Sequence, residues 1–332
     1  MALTALVVES DRLLRRIACA AFLSLGMRCH EADDPIGAAH LLRRLSFSVD
    51  VVVSACSLPR VTGIEFLTHF KSVGNISAIP FVVSVGSADD AHLLRAVRGG
   101  ADALLMRPAG LLPLRCALCS LKALPFKTNA PSSLLSLLPS EPVSTLMESA
   151  SVRHIPEGSP LFISGSPPTR LALLIEGRME WGGRTYSAGD AVALEAFLAS
   201  DALDEDVVAV QDCRVALISR SDVEALAVGN PAFCSALAEA VTPPNTSPSQ
   251  APLALLLARL HARSATGVVN CGRGTVKLCG GVITTVLHPD TDDSREALAH
   301  MAEEDTASFH PEEVPPEKNV DVSVCTLLRY IA

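Results

Sequence analysis

Aromatic residues are scarce in this sequence: they fill 4% of its 332 positions, with one tryptophan and two tyrosines. Its cores must therefore be built from Ala, Leu and Val. Positive charge is also in short supply. The 27 Lys and Arg stand against 36 Asp and Glu, for a net charge of −9. The basic footprint of a nucleic-acid-binding face is missing, so no contact with DNA is expected. No apolar run reaches the ~18 residues of a transmembrane helix, so no membrane insertion is expected. Arg15 and Arg16 followed by the apolar Ile17–Met27 imitate a signal peptide. The run is short, however, and a strand-like Ala5–Val8 precedes it, which favours an amphipathic helix. The ten cysteines are scattered, and they read as reduced thiols of a cytoplasmic protein.

The motifs of turnover are missing too. There is no GxGxxG, Walker loop, HExxH or GxSxG spacing, so neither an enzyme nor a cofactor is expected. Cys116 and Cys119 have CxxC spacing but fall inside a helical pattern, away from the helix start that would stabilise a thiolate. Asp290-Thr291-Asp292-Asp293 begins like a calcium loop and lacks the glycine and glutamate that should follow. It reads as a solvated turn.

Half of the chain, 49%, is hydrophobic, which is enough for ordinary folded cores. Two shifts in composition divide it: the turn-rich Pro125–Pro131 and the Pro/Ser/Thr-rich Thr242–Pro252. The expected organisation is a first domain over 1–125, a second over 132–241, a linker at 242–252 and a third domain over 253–332.

In the first piece, strands are read at Ala5–Val8, Asp50–Val53, Pro80–Val85 and Ala103–Met106. Helices are read at Arg12–Leu25, Pro35–Leu45, Gly63–Lys71, Ala88–Arg98 and Gly110–Leu124. Uniformly apolar strands alternating with helices imply a parallel sheet covered on both faces. Five such units make a doubly wound α/β domain, whose working site lies at the carboxyl ends of its strands.

The second piece carries short β-rich runs broken by Gly and Pro: Val152–Ile155, Leu161–Ile163, Leu171–Ile175, Glu176–Trp181, Tyr186, Val207–Val210 and Arg214–Ile218. Their spacing implies a jelly-roll β-barrel. Asp222–Val241 reads as one long helix. The third piece reads as a small α+β domain. It has a helix at Pro252–Arg263, a hairpin around Gly272-Arg273-Gly274, a strand after Gly280-Gly281, and a closing helix at Val322–Tyr330.

Residues 3–122 resemble a response-regulator receiver. The landmarks are Val7-Val8-Glu9-Ser10-Asp11, Leu58-Pro59 with Gly63, Ile79-Pro80, and Gly99–Asp102 running into Arg107-Pro108. The resemblance implies a paired-acid Mg²⁺ site, an acceptor aspartate, a hydroxyl and a lysine. In this sequence those positions fall on Glu9 and Ser10 with Asp11 following, on Ala55, on Val85 with Ser84 and Ser87 nearby, and on Arg107. Alanine offers no oxygen to phosphorylate, and Ser54 and Ser57 point differently from residue 55. The resemblance therefore implies a phosphorylation-incompetent pseudo-receiver in a bacterial signalling pathway.

Residues 134–241 resemble the cyclic-nucleotide-binding fold of the Crp–Fnr family. The carriers are Pro156-Glu157-Gly158, Ile175-Glu176-Gly177-Arg178, Gly189-Asp190 and Ser221-Asp222-Val223. The resemblance implies a ligand pocket at Gly189, Asp190 and Glu195. Its arginine position falls in Asp201–Val208, which holds four acids and no base. Cyclic nucleotide is therefore not expected in the usual mode, unless Arg178 or Arg184 supplies the cation. Residues 250–332 resemble the PATAN-type domain found beside bacterial receivers, which implies protein–protein interaction. The expectation is a non-catalytic signalling adaptor whose partners are proteins, a second copy of the chain among them. The alternative is a small-ligand sensor acting through the central domain.

Overall fold

The computed structural model describes residues 3–74, 76–86, 90–121, 133–138, 140–241, 250–303, 306–312, 314, 320 and 323–331. Thr242–Ser249 of the second linker, all of Pro125–Pro131 and Ser87 lie outside these residues.

The first unit alternates strand and helix: β1 (Thr4–Val8), α1 (Arg12–Ser24), β2 (Arg28–Ala32), α2 (Pro35–Arg44), β3 (Val51–Ala55), α3 (Gly63–Ser72), β4 (Phe81–Val85), α4 (Asp90–Arg98), β5 (Ala103–Met106) and α5 (Leu111–Ser120). The strands form one parallel sheet in the order β2-β1-β3-β4-β5. Helix starts follow local chemistry. The Asp11 carboxylate accepts from the amides of Leu13 and Leu14, Asp34 caps a helix that opens on Pro35, and Thr62 closes a capping box with Glu65. Strands β1, β3, β4 and β5 are buried along their whole length. The sequence pattern misses β2, because this edge strand reads Arg-Cys-His-Glu-Ala and is half exposed.

The second unit opens with α6 (Leu134–Leu137) and α7 (Ser140–Ser149). Strands β6 (Ser151–Ile155), β7 (Pro160–Phe162), β8 (Arg170–Glu176), β9 (Arg178–Trp181), β10 (Arg184–Ser187) and β11 (Ala191–Val192) follow. After α8 (Leu194–Ala199) come β12 (Val207–Ala209), β13 (Cys213–Ser219), α9 (Arg220–Gly229) and α10 (Pro231–Ala240). Two four-stranded antiparallel sheets, β10-β9-β12-β7 and β11-β8-β13-β6, share a core that includes Leu174, Met179, Tyr186, Val207 and Val215. The single helix expected over Asp222–Val241 is two helices. Asn230 ends α9 and caps α10, whose first residue is Pro231, so the chain turns there.

The third unit holds β14 (Gln250–Ala251), α11 (Leu253–Ala262), β15 (Gly267–Cys271), β16 (Gly274–Cys279), β17 (Val282–Leu287), α12 (Ser294–Ala302), β18 (Ala307–Pro311) and α13 (Val324–Ile331). Its sheet is antiparallel, in the order β14-β18-β15-β16-β17.

The three units do not have three separate cores. One apolar cluster joins Leu6, Val83 and Leu104 of the first unit to Leu256, Leu260 and Leu327 of the third. Another joins Ile17, Phe22 and Leu105 to Leu171, Phe233 and Leu237 of the second. The receiver-like sheet is thus clasped from two sides, by α10 against α1 and α5, and by α11 and α13 against α4 and β5. Arg329 of α13 donates to the carbonyls of Val97 and Ala101 at the end of α4. A cation there favours the helix C-terminus. One cysteine expectation also changes: Cys19 of α1 and Cys29 of β2 form a disulfide.

Candidate functional site

At the carboxyl ends of β1, β3, β4 and β5 the structure brings together Glu9, Ala55, Ser84 and Arg107. The Arg107 guanidinium crosses from β5 and gives Glu9 Oε1 a 3.1 Å hydrogen bond, and the Asp11 amide donates to the same oxygen at 3.0 Å. Glu9 is 6% exposed. Burial pushes its carboxyl pKa up, against the opposing pull of Arg107 and the Asp11 amide. Arg15 ties down the backbone of the same loop, donating to the Glu9 carbonyl at 2.5 Å and the Ser10 carbonyl at 3.3 Å. What remains between these groups is a cavity of about 10 Å³, lined by Val8, Glu9, Ala55, Ser84 and Arg107 among others. That is room for one water at most. The Arg107–Pro108 peptide is cis.

Each expected site residue has a definite place. Ala55 ends β3 with its methyl buried. The start of α3 presses on it, since a side chain at Gly63 would come within 1.9 Å of the Ala55 carbonyl oxygen. Val85 turns into the apolar core, whereas Ser84, one residue earlier, faces the cavity. Ser10 is exposed. Ser54 is buried and its hydroxyl donates to the Ala55 carbonyl, while Ser57 is exposed. Asp11 is spent twice: one oxygen caps α1 and the other binds Arg220 of the second unit at 3.0 Å.

Arg220 was not singled out by the sequence. It also donates to the Phe197 carbonyl at 2.8 Å, the Leu198 carbonyl at 3.3 Å and Ser200 Oγ at 3.2 Å. One guanidinium thus fastens the end of α8 to the acidic loop of the first unit. The same segment reaches the β4–α4 turn, where a Cβ on Gly86 would stand 3.9 Å from Asp201 Oδ1.

In the second unit, Glu195 sits at the start of α8, 9% exposed, with Arg184 of β10 3.6 Å away. The Arg184 guanidinium also lies over the Tyr186 ring. Tyr186 is buried, and burial together with the Glu195 charge drives its pKa above the ordinary tyrosine range. Arg178 is exposed on β9. Gly189 and Asp190 serve a turn and a packing contact. Gly189 has φ of +96° beside Ser133, and Asp190 accepts from the Ser187 amide at 2.8 Å. In the acidic stretch, Asp206 accepts from the Ser164 amide at 2.7 Å and Leu203 is buried.

Asp290–Asp293 of the third unit is a turn and a helix cap. Asp290 pairs with Arg273, and Asp293 accepts from the amides of Arg295 and Glu296. Among the described residues no group of three or more His, Cys, Asp or Glu side chains could hold a metal ion.

The family model of the response regulator receiver domain matches residues 5–118. The first unit is a receiver domain. Curated relatives include the Regulator of RpoS of Escherichia coli, 28% identical over 103 residues, or 31% of this chain and 29% of that protein. The KDP operon transcriptional regulatory protein KdpE of the same species is 28% identical over 130 residues, or 39% of this chain and 56% of that protein. The chain therefore spans less than two thirds of either relative. Among solved structures, the Vibrio cholerae chemotaxis protein CheY4 is 19% identical with a TM-score of 0.33, covering 37% of this chain and 98% of that one. The Thermus thermophilus catabolite activator protein is 25% identical with a TM-score of 0.29, covering 32% and 55%.

No helix among the described residues is long and apolar enough to cross a membrane.

Proposed function

We propose that this chain is a non-catalytic regulator of bacterial signal transduction, in which a receiver domain that takes no phosphoryl group serves as the central post of a protein-interaction scaffold. The observation that carries this reading is the 3.1 Å contact of Glu9 with Arg107 at a cavity that Ala55 also lines. Part of the charge that a working site would hold ready for metal and phosphoryl is here engaged within the protein. The cavity beside these groups, about 10 Å³, has room for one water at most. The docked flanking units support the same reading, because they lock the receiver between two continuous apolar cores. The third unit is then an interaction domain of the PATAN type, and the working location is the cytoplasm.

The test uses the immobilised full-length chain as bait in lysate of its own host. The proteins retained are expected to be the same with and without acetyl phosphate and Mg²⁺. A retained set that changes with acetyl phosphate would contradict the proposal.

A second reading is supported by one contact. Arg184 brings a guanidinium to Glu195, which is the cation a sensor pocket in the jelly-roll-like second unit would need. That cation is already paired with an acid, so the scaffold reading predicts flat thermal-shift curves for cyclic AMP, cyclic GMP and cyclic di-GMP at millimolar concentration. A ligand at 100 times its Kd would stabilise the fold by about 2.7 kcal/mol. A saturable rise in Tm would establish the sensor.

A further inference from the structure

We propose that Cys19 and Cys29 are a reversible dithiol–disulfide site, oxidised by hydroperoxides and reduced by dithiols, that clamps α1 to the edge strand β2. The two Cα atoms are 5.6 Å apart and the sulfurs are bonded. This separation lies within the range that a disulfide spans without backbone movement. Other thiols of the chain are placed for inertness: Cys213, Cys234 and Cys325 are buried, and burial raises the pKa of each.

The pair differs from them in access. Cys19 is 5% exposed on the inner side of α1, whereas Cys29 is half-buried on an open sheet edge between exposed Arg28 and half-exposed His30. Cys29 is the sulfur that a reagent meets and Cys19 the one that resolves. On oxidation, the Cys29 thiolate attacks a hydroperoxide, the O–O bond breaks, and an alcohol or water leaves a sulfenic acid on Cys29. The Cys19 sulfur then attacks it, the S–O bond breaks, and water carries off the oxygen. Two thiols lose two electrons and the peroxide gains them. On reduction, a dithiol attacks Cys29 and releases Cys19 as a thiol. The second thiol of the reductant then frees Cys29.

The position of the clamp gives it a consequence. Helix α1 packs on α10, and Cys19 belongs to the same apolar cluster as Phe233 and Leu237 of α10. The start of α1 carries Asp11 and its bond to Arg220. Opening the disulfide removes the covalent tie between β2 and the far half of the helix that packs on the second unit.

The experiment takes the full-length chain, reduces it with dithiothreitol, exchanges the buffer, and treats it with hydrogen peroxide. Denaturing alkylation and peptide mass analysis follow. The expected result is alkylated Cys19 and Cys29 after reduction, and a peptide pair linked through these two residues after peroxide. The Tm of the oxidised chain should exceed that of the reduced chain by several degrees, and Cys29→Ser should abolish the difference. Alkylatable Cys19 and Cys29 after peroxide would overturn the proposal. So would a link that native dithiothreitol leaves intact, or equal Tm values in the two states.

Discussion

Replacing His261 by alanine should lower stability by about 3–5 kcal/mol and the Tm by about 10 °C. This histidine of α11 is 3% exposed and sits where the third unit meets the free edge of β5. An edge strand leaves amides without partners. The Leu104 amide finds one in His261 Nε2 at 3.1 Å, and Nδ1 lies 2.8 Å from the Gly281 carbonyl. Both bonds together require a neutral ring with its proton on Nδ1, which donates to Gly281 while Nε2 accepts from Leu104. Alanine would leave a buried donor and a buried acceptor unmatched, each at about 1–3 kcal/mol, and a void as well.

The same residue sets a pH dependence. Burial lowers its pKa from 6.5 to about 4. The unfolded chain therefore binds this proton as pH falls below 6.5, while the folded chain refuses it until about 4. The contribution is complete above pH 6.5 and is lost on descending to 4, at about 1.4 kcal/mol per unit. Measured as the difference between wild type and His261→Ala in thermal unfolding, the stability gap should narrow from pH 7 to pH 5. A constant gap would mean that the ring is not held neutral.

The second large effect belongs to the other clasp. Gly110, in the turn between β5 and α5, is pressed against α10. A Cβ there would lie 2.5 Å from the Val241 Cβ and 2.9 Å from the Ala238 carbonyl oxygen. Val241 is 1% exposed and the carbonyl is backbone, so neither neighbour yields easily. Gly110→Ala should cost about 1–3 kcal/mol, or roughly 3–8 °C in Tm, by wedging the second unit from the receiver. Gly229→Ala is the control, because nothing lies within 4 Å of its added methyl. Equal Tm values for the two variants would show that the two units do not press together at this point.

The receiver was readable from the sequence because its inner strands are apolar at every position and its landmarks keep their order. Ala55 and Arg107 stand at the carboxyl ends of β3 and β5, where the order of the landmarks puts them. Strand β2 was hidden because an exposed edge strand such as Arg28–Ala32 carries no apolar run. The joint between α9 and α10 was hidden by an apolar texture that runs through it, although Asn230-Pro231 carried the cap signal. The clasping of the units could not be read at all. Arg220 and Asp11 are separated by 209 positions, and Leu104 and His261 by 157. A lone histidine in the apolar stretch Leu253–Ala262 gives no local sign of the amide it will meet. Ser84 replaced Val85 at the cavity because strand alternation, one residue from the expected position, decides which side chain faces in.

The central claim is that the receiver takes no phosphoryl group, and intact mass of the full-length chain after incubation with acetyl phosphate and Mg²⁺ tests it most directly. The account predicts an unchanged mass under conditions that label an ordinary receiver. A mass increase of one phosphoryl group on the full-length chain would contradict it.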